Sequence, residues 1–254
     1  MTEGDRFRVD AHVKVLDEGV VERAKERGLD AIVYAPHFTR LPEIRERAER
    51  FADDELAVIP GRELLTGHWN ARKHVLAVGL SEPVPDFITL RGAMAEFERQ
   101  DATVLVPHPG FLNTSLSGEE VGAYGDVVDG VEVYDAKFLP GHHHRRALRI
   151  AAESNKPAYG ASYAHLRGTV GAAWTSFDRP VRTAEDLATA LEHGDPAVGH
   201  RRGVAHRLRC TAEFAHLLWE GTWAKADRVL LQGTEATHPA HVAYGGRFDD
   251  VRVY

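Results

Sequence analysis

Cysteine is almost absent, and Cys210 standing alone excludes both an intramolecular disulfide and a thiolate metal cluster. No apolar run approaches the roughly 20 residues that a membrane helix needs. The opening MTEGDRFRVD lacks the basic-then-apolar pattern of an export signal, which implies a cytoplasmic location. Internal repeats and low-complexity linkers are missing too, so the 254 residues read as one barrel-sized domain, with residues 1–200 as the barrel and 201–254 as a helix and tail packed on it. Lysine is scarce beside arginine, and the net charge of −7 disfavours extended contact with a nucleic-acid backbone while leaving short substrates open. What the chain does have is 15 histidines, and imidazole is both the commonest transition-metal ligand and the usual acid or base near neutral pH. Any metal here is expected on His and carboxylate.

Hydrophobic patterning alternates strand and helix. FRVDAHV reads as a strand, followed by a helix over 16–27 that Gly28 closes; AIVYAPH is the next strand, and a charged amphipathic helix over 41–51 leads into LAVIPGREL. HVLAVGL, a helix over 90–100 capped by Thr89, and TVLVPHP continue the series. Ser117 with Glu120 and Thr183 with Asp186 have capping-box spacing. GVEVYD, PAYGAS and AAWTSF are further strands, and a helix is expected over 141–154. The apolar period Val204, Leu208, Ala212, Ala215, Leu218 and Trp219 suits a helix laid on the outside, with VLLQG as a late strand. About seven such units imply a parallel sheet closed into an α/β barrel.

Polar residues recur at the strand ends. Asp10 and His12 end the first strand, His37 follows the second and Glu63 the third; His74 begins a strand, His108 ends one, and His165 follows PAYGAS. Parallel strands of a barrel bring their carboxyl ends to one face, so five histidines and a glutamate meeting there form a metal-site pattern. Taken singly, each of these histidines is more often a hydrogen-bonded strand-end residue than a ligand; their shared position is what carries the expectation. HHHRR at 142–146, at a helix start, and Arg167, directly beyond His165, are candidate anion contacts, the former competing with a plain solvated helix face. The chain has no P-loop, dinucleotide fingerprint or Ser-His-Asp context.

At these residues the sequence resembles the PHP (polymerase and histidinol phosphatase) family. FRVDAHVK is similar to its D-x-H-x-H opening, GLDAIVYAPHFT to its G-L-D-x-I-x-x-T-D-H-x-T segment, VIPGREL to P-G-x-E, HVLAVGL to H-x-L-x-x-G, LVPHPG to A-H-P, DGVEVYD to G-x-E-V-Y-N and GASYAH to G-S-D-A-H. The likeness runs in order over residues 7–195. It implies an irregular (β/α)7-type barrel, metal-dependent phosphoesterase chemistry on a small phosphorylated substrate, and a cluster of up to three divalent ions (Zn, Mn or Fe) around Glu63. Three positions depart from the pattern: Lys14 stands for the second opening His, Pro36 for the Asp before His37, and Tyr163 for the closing Asp.

By this resemblance the first ion would take His12, position 14, Glu63 and position 163, and is expected to be missing because an ammonium has no acceptor lone pair and tyrosine rarely ligates divalent metals. The second would take Glu63, His74 and His108. The third would take His37 and His165 with Asp17 or Glu18. One or two ions are therefore expected, with His165, His37 and Arg167 as candidate catalytic residues and Lys14 as a replacement cation near Glu63 or Asp10, or else a structural ion-pair partner. The rival reading is a barrel kept as a non-catalytic binding or assembly module. An RNA-associated subunit, using Arg201, Arg202, Arg207 and Arg209, is a third.

Overall fold

A computed structural model describes residues 6–68, 71–110, 114–135, 142–219 and 236–253. The strand-helix series begins with β1 (Phe7–Val13), α1 (Glu18–Glu26), β2 (Ala31–Tyr34), α2 (Leu41–Phe51), β3 (Ala57–Thr66) and β4 (Lys73–Val78). It continues through α3 (Leu90–Arg99), β5 (Thr103–Val106), α4 (Gly118–Ala123), β6 (Gly130–Asp135), α5 (His142–Glu153) and β7 (Ala158–Ala161). The last elements are β8 (Ala173–Phe177), α6 (Ala184–His193), β9 (Ala197–His200) and α7 (Val204–Trp219). The expected strand VLLQG and the first residue of the helix expected over 141–154 lie outside the described residues.

Helix starts follow the local chemistry. The Ser117 and Thr183 side chains accept the backbone N–H of Glu120 and Asp186, whose carboxylates reach back to the caps, so both capping boxes are complete. Thr89 accepts from the Gly92 N–H, and Asp17 from that of Val20.

The nine strands form one sheet in the order β7-β6-β5-β4-β3-β2-β1-β8-β9. It is not the all-parallel sheet that the alternation implied. β4 runs antiparallel to both β3 and β5, and β8 and β9 are antiparallel to their neighbours. For β4 the reason is the short connection from Thr66 to Lys73, which leaves no length for a crossover helix.

The sheet curls until its far side meets β1. Lys14 N–H donates to Ala164 O at 2.8 Å just past β7, and the Gly160 N–H donates to Thr175 Oγ1 at 2.9 Å. Gly160 is required at this seam, because a Cβ there would run into Val198.

Inside the barrel, Val9, Ala11, Val33, Ile59, Leu76, Leu105 and Tyr159 form one buried cluster, and α6 adds Leu187, Ala190 and Leu191 to it. Leu64, Val75, Val104 and Val106 face α3, α4 and α5 instead, while Ile32 and Val58 face α1 and α2. Period-two alternation thus puts Glu63 on the face of Ile59 and His74 on the face of Leu76. His12 breaks strict alternation with Ala11, and the β1–β2 register is irregular between Asp10 and Val13, which lets it turn inward.

The α7 helix forms where its periodicity placed it, but rotated. Val204, Leu208 and Trp219 are exposed, whereas Cys210 and Glu213 are buried. The face turned to the protein is the one that supplies hydrogen bonds.

Candidate metal centre

Glu63 is fully buried at the carboxyl end of β3, and five side chains converge on it. His74 Nδ1 lies 2.9 Å and His108 Nε2 3.3 Å from its Oε1; His37 Nε2 at 3.1 Å, His12 Nε2 at 3.2 Å and the Lys14 ammonium approach Oε2. Because β4 is reversed, its first residues sit at the end where β3 finishes, and His74 reaches the same mouth as residues that follow parallel strands. The donor atoms of His37, Glu63 and His74 all lie within 4.8 Å of one another. The His165 ring lies 6.2 Å from that of His37 and 4.9 Å from that of Tyr163.

Electrostatics favour a ligating state for these groups. Burial, reinforced for His37 by the Lys14 charge, holds His37 well below the usual imidazole range, and burial likewise lowers His74, so both are neutral near pH 7. Burial opposes ionisation of Glu63, but the Lys14 ammonium and the surrounding imidazoles outweigh it and hold the carboxyl well below its ordinary value. An anion with neutral imidazoles on both of its oxygens is a donor set of the kind that zinc, manganese or iron accepts.

The residues at positions 14 and 163 do not fit an ion. The Lys14 ammonium donates to Ala35 O at 2.6 Å as well as to Glu63, and it lies 5.5 Å from the centre of the Tyr163 ring. That ring in turn meets His12 and His108 edge-on at 4.5 and 5.2 Å. Lys14 and Tyr163 therefore touch, as a cation over an aromatic face.

Asp10 is held by backbone N–H groups. Its oxygens accept the N–H groups of Ser162 and Gly171, each at 2.8 Å, which ties β1 to both ends of the loop after β7; burial pushes its carboxyl up to about 6. Arg167 and Asp17 pair with each other at 3.1 Å on the exposed rim, and the missing Cβ of Gly19 makes room for the guanidinium. In the 142–146 run, His144 packs edge-on against Tyr134 at 4.4 Å and Arg146 lies against Gly110.

Three supporting residues were not picked out from the sequence. Ser115 Oγ lies 2.7 Å from His108 Nδ1, fixing that ring from behind. Glu132 accepts the His108 N–H at 2.6 Å, where φ is +35° and the backbone needs such a tether. Glu213 accepts the His165 N–H at 2.6 Å. The signal available for Glu132 was a carboxylate between two valines of a buried strand, GVEVYD.

Residues 141–196 match a family model described as PHP-associated. No curated protein matches the chain. Among solved structures it is similar to PsfC from Pseudomonas syringae, at 20% identity and a TM-score of 0.66 over 84% of this chain and 99% of that one. It is similar also to a two-domain protein from Bacteroides vulgatus containing a predicted PHP-like metal-dependent phosphoesterase, at 20% identity and 0.59 over 82% and 69%. A third likeness is to the lesion-specific endonuclease PfuEndoQ from Pyrococcus furiosus, at 17% identity and 0.57 over 76% of this chain and 57% of that one. The chain therefore carries a PHP-associated segment over residues 141–196, and its nearly closed barrel shares the fold of these solved structures.

Proposed function

We propose that the chain is a hydrolase of phosphoesters working with a reduced metal site, in which His37, Glu63 and His74 hold one divalent ion and His12 and His108 complete its surroundings. The observation that carries this reading is the convergence of those three donors within 4.8 Å, with both imidazoles neutral. Grouping His37 with His74 differs from the partition that the family resemblance implied, which paired His74 with His108. A divalent ion in this position supplies Lewis-acid polarisation of a phosphoryl group.

The chain's own residues supply the rest. His165, beside His37, is placed to join the ion's donors and, when not ligating, to give a proton to the leaving oxygen. Glu132 and Ser115 fix His108 from the backbone and the ring side, so the pocket is held in shape before substrate arrives. Lys14 takes the position of the missing ion, offering one positive charge to Glu63 on a stem long enough to reach it.

The Lys14–Glu63 pair also favours a second reading, a metal-free binding module whose carboxylate is neutralised from within. Metal analysis of the protein purified without added metal or chelator separates the two. About one bound equivalent supports the enzyme, as does slow turnover of a general phosphoester with added Mn or Zn that His108→Ala abolishes. No bound metal, with none taken up on addition, removes the enzyme reading. Substrates to be offered include small phosphorylated molecules and, given the likeness to PfuEndoQ, a nucleic-acid phosphodiester. The combined change Lys14→His with Tyr163→Asp restores two ligand types and is expected to raise the bound count by about one. A count equal to the parent's would mean that the position is lost and not substituted.

A further inference from the structure

The inward face of α7 is not the apolar one. Val204, Leu208 and Trp219 are exposed, and the most deeply buried of the described side chains on the helix is a carboxylate, Glu213, with Cys210 beside it on the inward face. A buried carboxylate is costly unless donors surround it. Among the described residues its donors come from one short stretch: the His165 N–H at 2.6 Å to Oε1, the Leu166 N–H at 3.1 Å to Oε2, and the Thr169 hydroxyl, also to Oε2.

That stretch enters the site under constraint. Tyr163 has φ +52°, and Ala164 is bonded to β1 on both sides, its N–H to His12 O at 3.3 Å and its O to the Lys14 N–H at 2.8 Å. From there the two N–H groups held by Glu213 and the 3-10 turn Arg167–Thr169 fix the backbone that carries the His165 ring to its place beside His37 and Tyr163.

We infer that Glu213 is a positioning residue, which acts through the backbone of His165 to set that imidazole beside His37 and so makes the C-terminal helix a working part of the site. The inference rests on the reading of His165 as a member of the metal and phosphoester site. Residue 213 lies beyond the PHP-associated match, which ends at 196.

Two measurements on the full chain test it. In the first, titration with Mn or Zn alone compares the parent, Glu213→Ala, His165→Ala and the double variant. Glu213→Ala is expected to weaken metal binding by about 10-fold to 100-fold, the range for partners that orient a ligand. In the His165→Ala background the same change is expected to alter affinity by less than about twofold, because its route of action is gone. An equal loss in both backgrounds, or no loss in either, overturns the inference.

The second measurement needs no metal and uses Glu213→Gln, which keeps the side-chain shape. Amide exchange at His165 and Leu166 is expected to accelerate, and the His165 ring resonances to shift while those of His74 stay in place. Unmoved His165 resonances overturn the inference even if the parent binds no metal. A parent without metal but with these shifts present would instead leave the positioning role standing and count against the phosphoesterase reading.

Discussion

At the scale of single residues, Glu63 dominates. One carboxylate receives four imidazole nitrogens and an ammonium, and its charge is neutralised by Lys14 at close range in a dry setting. Removing one partner of such a pair leaves the other buried and uncompensated. Lys14→Met is therefore expected to destabilise the metal-free protein by about 3–5 kcal/mol, and added zinc to restore much of that loss. Urea unfolding with and without zinc reads both effects, and a Lys14→Met protein as stable as the parent would show that the pair contributes nothing. The histidines and Glu63 were legible because each sits beside a strand end and a short motif. Glu132 and Glu213 were not, since each acts on a residue far from it in sequence through backbone N–H groups that no side-chain pattern marks, and Ser115 reaches the His108 ring from seven residues on, outside any short motif.

At the scale of elements, capping chemistry was readable from four-residue windows, and strand direction was not. Thr183 with Asp186 and Ser117 with Glu120 start helices where their spacing said they would. Thr183→Ala is expected to lower stability by about 1 kcal/mol and leave metal binding unchanged, which thermal unfolding and a metal titration together check. Hydrophobic alternation is the same whichever way a strand runs, so the reversal of β4 could be inferred only from the short link between Thr66 and Lys73. The rotation of α7 was hidden for a related reason: its apolar period names a stripe without saying that the opposite face bonds to the barrel. Gly160 is the counterpart at the seam. Gly160→Ala is expected to cost about 1–3 kcal/mol by forcing β7 away from Val198, measurable as a lower urea midpoint. A midpoint unchanged from the parent would mean that the seam has slack.

At the scale of the whole molecule, the strand that carries Glu63 inward carries Arg62 outward, and Arg62 is among the largest fully buried side chains. It pairs with Asp86 at 2.7 Å and donates to Thr39 O, two residues past His37. Asp86 in turn accepts the Leu65 N–H at 2.9 Å, and its own N–H donates to Thr237 O at 2.8 Å. Arg62→Met is expected to cost about 3–5 kcal/mol by stranding Asp86, and Arg62→Met with Asp86→Leu to recover most of it. Equal stability of the single and double variants would deny the pairing its weight. The barrel as an architecture was legible from the order of strands and motifs. This outer clamp was not, because it joins β3, the loop after β2 and the tail across long sequence separations. The same segment is laced further: Phe87 N–H donates to Leu65 O, Thr89 N–H to Val251 O and Val253 N–H to Phe87 O. Amides at 65, 87, 89 and 253 are thus links of one chain of bonds, and native-state exchange is expected to release them together as a single cooperative unit, with the loop that bears His37 loosening in the same event.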